Sequence, residues 1–190
     1  FVSTTSGVTG PGDLKGKRIG LSSYQNTLGV LAKGDLATEY GVSVESVTWV
    51  TGSEETIAFQ PPADVRIERA APGTRLDALL INGELDAMLV SRTPEAFLRG
   101  DTRIARLFPD PRAETIRFYQ KVGYYPIMHL VAIRQEILNQ HPWVARSLYD
   151  AFERAKEQCY RRYDDPNFTS IAALPLLRED EHRIFEIGRA

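Results

Sequence analysis

Short apolar segments typical of β-strands alternate with longer segments typical of helices along most of the chain. The strand-like segments lie at residues 1–3, 17–21, 46–50, 65–69, 86–90, 104–108 and 127–133. This alternation predicts an α/β fold in which helices flank a mostly parallel sheet. Ligands of such sheets bind beyond the carboxyl ends of the strands, so the loops that follow strands are the first candidates for a site.

The segments between these strands contain residues that begin and end helices. Asn26 or Thr27 is suited to accept a hydrogen bond from a free backbone N–H at a helix start, and Gly41 is suited to end that helix. Helices are also predicted at residues 111–123, 135–140 and 142–163.

Composition and charge exclude several classes of function. With 43% hydrophobic and 25% charged residues and a net charge of −2, the chain is typical of an ordinary soluble globular protein, and no basic run predicts nucleic-acid binding. No apolar run approaches ~20 residues, so no membrane insertion is predicted. A single cysteine, Cys159, excludes an internal disulfide and a thiolate zinc cluster, and the three histidines lack metal-binding spacing. No cofactor is predicted, and metal dependence is left open.

The loop after the strand at 17–21 is rich in hydrogen-bonding groups. Its residues are Ser22, Ser23, Tyr24, Gln25, Asn26 and Thr27. It leads into a helix N-terminus, where free backbone N–H groups favour an anion. The spacing matches neither the phosphate-binding pattern GxxxxGK[ST] nor the dinucleotide-binding pattern GxGxxG. Two interpretations stay open: a ligand loop for a small organic anion, best a carboxylate, or a plain capped turn.

A second loop contains Ser91 and Arg92 directly after the strand at 86–90. If the strands are parallel, this loop and the one at 22–27 lie at the same edge of the sheet. The planar guanidinium of Arg92 matches a carboxylate through two hydrogen bonds. The alternative is a surface arginine paired with Asp or Glu.

Further candidates lie near the strand predicted at 127–133. His129 is within that strand, and an imidazole titrates near neutral pH; the alternative is a histidine that only packs in the core. Tyr125 either stacks on an aromatic ligand or covers a helix. Two consecutive acids, Glu54 and Glu55, lie in the loop between the strands at 46–50 and 65–69 and are expected to be solvated.

Longer strings of the sequence resemble known proteins. "DLKGKRIGL" and "LINGELDAMLV" are similar to the second lobe of type II periplasmic-binding-protein folds. "LKGKRIGLSSYQNTLGVLAKGDLATEYGV", "YYPIMHLVAIR" and "HPWVARSLYDAF" resemble the 4,5-dihydroxyphthalate decarboxylase-like family. The combination of "PIMH" with "HPWVARSLY" at this spacing is the most specific part of a resemblance that covers nearly the whole chain.

The resemblance implies a fragment of a two-lobed, binding-protein-like fold. Residues 1–12 would form a crossing strand and linker, and 13–123 the second α/β lobe. Residues 124–134 would form a return strand, and 135–190 would be helices that pack on the first lobe. The sequence itself gives the same expectation: "FVS" reads as the end of a strand and "EHRIFEIGRA" stops within a predicted helix, so both ends are expected to be cut from a longer protein.

The family name implies loss of CO2 from a hydroxylated aromatic carboxylate of the 4,5-dihydroxyphthalate type. Under the resemblance, the loop at 22–27 and Arg92 anchor a carboxylate. His129 donates a proton or binds a phenolic oxygen, and Tyr24 or Tyr125 stacks on the ring.

Other functions share this fold. One alternative is a solute-binding protein that delivers a small organic anion to a transporter without catalysis. Another is the effector domain of a regulator, although the chain contains no DNA-binding segment. The decarboxylase would be cytoplasmic and the solute-binding protein periplasmic, so localisation is left unknown, and a homo-oligomer is left open.

Overall fold

The structure, a computed structural model, describes residues 1–124, 126–165, 167 and 174–185, the last range without the side chains of 174–176 and 185. Contacts divide the chain into two units, Phe1–Pro111 and Arg112–Ala190. Within the described residues, the strands belong to the first unit and the second unit is helical.

The first unit contains a sheet of six strands among the described residues. They are β1 (Val2–Ser3), β2 (Arg18–Leu21), β3 (Thr48–Thr51), β4 (Arg66–Arg69), β5 (Ala87–Leu89) and β6 (Ile104–Ala105). Their spatial order is β4-β3-β2-β5-β1-β6. The strands β4, β3, β2 and β5 are parallel to one another, whereas β1 is antiparallel to both β5 and β6. The predicted α/β class is confirmed, with a mixed sheet whose central strands are parallel.

Helices α1 (Thr27–Tyr40), α2 (Leu76–Ile81) and α3 (Glu95–Leu98) belong to the first unit. Helix α1 begins as predicted, because the Asn26 side-chain oxygen accepts a hydrogen bond from the Gly29 N–H at 2.6 Å. It ends at Gly41, whose φ of 64° lies in the left-handed region that glycine adopts without strain.

Both faces of the central strands are buried. Ile19, Leu21 and Trp49 pack in one cluster of buried side chains. Val50 and Met88 pack in a second cluster. Successive residues of a strand point to opposite faces, so two clusters are expected when side chains cover both faces of a sheet. This burial fixes the positions of the strand ends that precede the candidate loops.

The string "LINGELDAMLV" forms the turn from α2 into β5, and its contacts stabilise the sheet. The Asp86 carboxylate accepts a hydrogen bond from the Arg18 N–H at 2.9 Å and lies 3.4 Å from the Lys17 ammonium. Leu85 packs against Gly20, where a Cβ would lie 2.6 Å from Leu85 Cδ1. The string therefore holds the start of β5 beside β2.

The second unit contains α4 (Pro111–Val122), α5 (Gln135–Gln140), α6 (Trp143–Asp164) and α7 (Leu174–Phe185). The α4, α5 and α6 boundaries agree with the predicted ones within one residue. Contacts group nearly all of α4 with the second unit. The division into a lobe at 13–123, which the resemblance implies, stays a prediction. The buried Arg178 joins α6 to α7, since its guanidinium pairs with Asp164 at 3.1 Å and with Glu181 at 2.7 Å. No helix in the described ranges has both the length and the apolar character to cross a membrane.

The structure has no strand at 127–133, where the sequence predicts one. Residues 126–134 form no regular secondary structure. Ile127 is 72% exposed and Leu130 is 86% exposed, so no element among the described residues covers them. A strand needs a partner for its N–H and C=O groups, and an apolar pattern alone does not supply one. The role of this segment as a return strand in a two-lobed protein stays a prediction.

Candidate functional site

The loops after β2 and β3 are joined at the carboxyl edge of the sheet. These strands are parallel, so their carboxyl ends lie side by side. Beyond them, the Gly52 N–H donates to the Leu21 oxygen at 3.0 Å and the Ser53 N–H to the Ser22 oxygen at 2.8 Å. The Ser53 hydroxyl donates to the same Ser22 oxygen at 2.7 Å. The loop at 22–27 is therefore tied to residues 52–65, which we call the β3–β4 loop.

Asn26 fixes the shape of the loop at 22–27 from within. While its side-chain oxygen caps α1, its Nδ2 donates to Ser22 Oγ at 2.9 Å and to the Ser23 oxygen at 2.5 Å. Both ends of the amide are thus used by the protein. Asn26 therefore shapes the loop, and a ligand would contact other residues of the loop at 22–27 because the Asn26 amide is already hydrogen-bonded.

The backbone N–H groups of Tyr24 and Gln25 both donate to one carboxylate, that of Glu55. Tyr24 N–H donates to Oε1, and Gln25 N–H donates to Oε2 at 3.1 Å. Gln25 Nε2 also donates to Oε2, at 3.3 Å, and to the Ile57 oxygen at 2.7 Å. The loop thus has the geometry to bind a carboxylate, and here the carboxylate is the protein's own. Of the two glutamates expected to be solvated, Glu54 is exposed, whereas Glu55 is partly buried and hydrogen-bonded within the protein.

Lys33 lies beside this loop with only 7% of its surface exposed. Its ammonium donates to the Tyr24 oxygen at 2.6 Å and lies 3.0 Å from the centre of the Tyr24 ring. Burial lowers the pKa of Lys33 from 10.5 to about 8, against the opposing effect of the Glu55 charge. Lys33 was not among the predicted site residues, although it lies four residues after Gly29 and three before Leu36, both on the buried face of α1.

An aromatic stack and a depression adjoin the Glu55 carboxylate. The Tyr24 ring stacks on Phe59, with 5.5 Å between centroids and 8° between planes. A depression of about 300 Å³ opens at the carboxyl ends of β3 and β4, at the small end of the range of ligand sites. Its lining residues are Thr51, Ser53, Glu54, Glu55, Phe59, Pro61, Ile67 and Arg69. Among them, Arg69 pairs with Glu54 at 2.7 Å.

The other predicted site residues divide between the two units. Ser91 and Arg92 are exposed just after β5, at the same sheet edge as the loop at 22–27. His129 is exposed in the irregular segment 126–134 of the second unit. Tyr125 lies outside the described residues.

Comparison with known proteins gives a relationship that spans both units. No protein-family model matches the chain. A 4,5-dihydroxyphthalate decarboxylase of Comamonas testosteroni is 35% identical over an alignment of 189 residues, and the match covers 96% of this chain and 57% of that protein. A protein of the same name from Pseudomonas putida is 35% identical over an alignment of 130 residues, and that match covers 65% of this chain and 50% of the relative. The chain belongs to the 4,5-dihydroxyphthalate decarboxylase-like family.

Family members that match this chain are longer than the matched region. The chain spans 57% and 50% of the lengths of these two 4,5-dihydroxyphthalate decarboxylases, about half in each case. The activity of the relatives therefore does not transfer to these 190 residues by the match alone.

In this member of the 4,5-dihydroxyphthalate decarboxylase-like family, the described residues offer a particular chemistry. Two backbone N–H groups hold one carboxylate, an ammonium lies nearby, and aromatic rings pack beside them. Among the residues that the structure describes, no group of three or more His, Cys, Asp or Glu side chains could hold a metal ion. The arrangement is suited to binding an organic acid.

Proposed function

We propose that the protein removes CO2 from a hydroxylated aromatic carboxylate of the 4,5-dihydroxyphthalate type. The observation that carries this proposal is the 35% identity, over 189 residues, to the decarboxylase of Comamonas testosteroni. The Pseudomonas putida relative bears the same name. The shared name favours catalysis over the alternative, a solute-binding protein that delivers an organic anion unchanged.

Substrate recognition in this proposal uses the carboxyl edge of the sheet. A phthalate carries two carboxylates, so its site needs donors for both. The N–H groups of Tyr24 and Gln25 suit one of them, because they already hold the Glu55 carboxylate. The Arg92 guanidinium, exposed after β5, binds the other. Ser91 and the hydroxyls of the loop at 22–27 supply further hydrogen bonds.

The chemical step requires a proton for the ring carbon. Decarboxylation breaks the bond between that carbon and the carboxylate, CO2 leaves, and a proton takes its place on the ring. Each carboxylate-bearing carbon of 4,5-dihydroxyphthalate is para to a hydroxyl, which donates electron density to the ring as that carbon is protonated. His129 is the proposed proton donor, or the group that binds the phenolic oxygen.

The ring of the substrate needs an aromatic partner, and we assign that role to Tyr125. The Tyr24 ring already stacks on Phe59 and lies against the Lys33 ammonium. Tyr24 therefore contributes through its backbone N–H.

The experiment that tests the proposal is product analysis with the purified full-length protein and 4,5-dihydroxyphthalate. We expect CO2 and 3,4-dihydroxybenzoate in equal amounts. His129→Ala should lose turnover and keep binding, whereas the control His141→Ala, at another exposed histidine, should keep both. Absence of turnover on a panel of hydroxyphthalates and hydroxybenzoates would overturn the proposal. Thermal stabilisation by these acids without any product would support the solute-binding alternative.

The proposal also gives a role to the exposed apolar side chains of the second unit. Ile127, Leu130, Trp143 and Phe152 are all more than half exposed. We propose that they pack against a part of the protein equivalent to the unmatched length of the relatives, the first lobe of a type II periplasmic-binding-protein-like fold. Hydrogen exchange in α6 should then be slower in the full-length protein than in residues 1–190 alone. Equal exchange rates would contradict this packing.

A further inference from the structure

We propose that the N–H pair of Tyr24 and Gln25 is an exchangeable carboxylate site, from which an incoming aromatic acid displaces the Glu55 carboxylate. The identity of the incoming acid rests on the proposed function. The exchange itself involves only the N–H pair and Glu55, all in the first unit, and does not depend on the rest of the incoming acid. It is therefore also tested with a simpler carboxylate.

The donors around Glu55 match a carboxylate rather than one particular side chain. Two consecutive backbone N–H groups address its two oxygens separately, and Gln25 Nε2 adds a third donor. Hydrogen bonds to an ionised acceptor are about twice as strong as neutral ones, so this set favours any carboxylate that reaches it. Nothing in these three contacts depends on the rest of the Glu55 side chain.

Exchange of one carboxylate for another leaves the local charge unchanged. The Glu55 charge acts on the buried Lys33 ammonium and favours its protonated form. A ligand carboxylate in the same place would preserve that interaction, whereas an added anion would bring a new charge to desolvate. The displaced Glu55 regains its hydration when its loop turns to solvent. Electrostatics therefore permits the exchange at little cost.

In the β3–β4 loop, the three residues after Glu55 bury little side-chain surface, although Gln25 Nε2 donates to the Ile57 oxygen at 2.7 Å. Ile57, two residues further on, is 71% exposed, and Thr56 and Ala58 are exposed as well. Segments with little apolar burial open locally at low free energy. Glu55 also lines the depression of about 300 Å³ at the ends of β3 and β4. An acid that enters this depression therefore lies next to the carboxylate it has to replace.

This arrangement makes Glu55 an internal competitor of the ligand. The apparent affinity for the ligand is reduced by the fraction of molecules in which Glu55 has vacated the N–H pair. Removal of the Glu55 carboxylate should therefore tighten ligand binding, which is the opposite of the effect expected if Glu55 only held the loop in its binding shape.

The direct test is an acetate titration of the full-length protein, labelled with nitrogen-15 and followed through the amide resonances of Tyr24 and Gln25. In Glu55→Ala, millimolar acetate should shift both resonances. Wild type should need an acetate concentration at least roughly tenfold higher for the same shift. The control Asp64→Ala, which removes another exposed acid of the same loop, should behave as wild type. Glu55→Gln keeps the side-chain size and provides the same comparison if the alanine variant does not fold. Equal acetate responses in wild type and in the folded variant, or no response in either, would overturn the proposal.

Turnover separates this inference from the proposed function. With 4,5-dihydroxyphthalate, the KM of Glu55→Ala should fall about threefold or more relative to wild type, with kcat little changed. A KM that rises would contradict the exchange. If wild type shows no turnover at all, the proposed function fails, and the acetate titration still decides whether the exchange occurs.

Discussion

The buried ammonium of Lys33 should make the free energy of unfolding rise with pH between about pH 8 and pH 10.5. In the folded protein, burial lowers the pKa of Lys33 from 10.5 to about 8. Between these values the unfolded chain binds a proton at Lys33 that the folded protein does not bind, so unfolding takes up a proton and becomes harder as pH rises. Below pH 8 both states are charged, and the cost of burying the charge is present in full. Above pH 10.5 that cost is absent.

The size of this effect follows from the pKa difference. Each unit of pKa is worth about 1.4 kcal/mol, so the full shift corresponds to about 3 kcal/mol over the whole pH range. Lys33→Met keeps a long apolar side chain without a titrating group and should abolish this contribution. It also removes the hydrogen bond to the Tyr24 oxygen, so the two effects on stability at neutral pH oppose each other. The pH dependence is therefore a cleaner test than the absolute stability.

The assay is urea unfolding of wild type and Lys33→Met at a series of pH values. The difference in unfolding free energy, wild type minus variant, should increase by about 1–2 kcal/mol from about pH 7.5 to about pH 9.5. Lys15→Met, at an exposed lysine, should give a curve parallel to wild type. Parallel curves for wild type and Lys33→Met would refute the reasoning.

Three further predictions concern the stability of the two units. Gly20→Ala should destabilise the protein by about 1–3 kcal/mol, because a Cβ there would lie 2.6 Å from a leucine methyl. Gly34→Ala, in open space on α1, should stabilise the protein by about 1 kcal/mol. Similar urea midpoints for the two variants would contradict both predictions. Asn26→Ala should cost about 1 kcal/mol and speed hydrogen exchange at the start of α1, and unchanged exchange there would count against its capping role. Arg178→Met should destabilise the second unit by about 1–3 kcal/mol, since two half-exposed carboxylates lose a buried cation, and an unchanged thermal midpoint would argue against this pairing.

The sequence predicted the central strands because each is a short apolar segment bounded by turn residues. The structure places β2, β3, β4 and β5 within two residues of their predicted limits. The segment at 127–133 has the same apolar character, yet it forms no strand among the described residues. An apolar pattern indicates that a segment could be buried, but it does not indicate whether a partner strand lies beside that segment.

The site was predictable only where its contacts are local in sequence. The position of the loop at 22–27 and the cap at Asn26 follow from the strand-to-helix transition. Glu55 lies 31 residues from Tyr24, and their contact depends on the parallel register of β2 and β3, which composition does not reveal. Lys33 could have been found, because its spacing from Gly29 and Leu36 places it on the buried face of α1.

The measurement that tests the central claim most directly is a mass balance on 4,5-dihydroxyphthalate labelled with carbon-13 at its carboxyl groups. The account predicts that the full-length protein releases one labelled CO2 for each molecule of monocarboxylate formed, and that His129→Ala binds the substrate without releasing CO2. Complete recovery of unchanged substrate from wild-type protein that binds it would contradict the assignment as a decarboxylase.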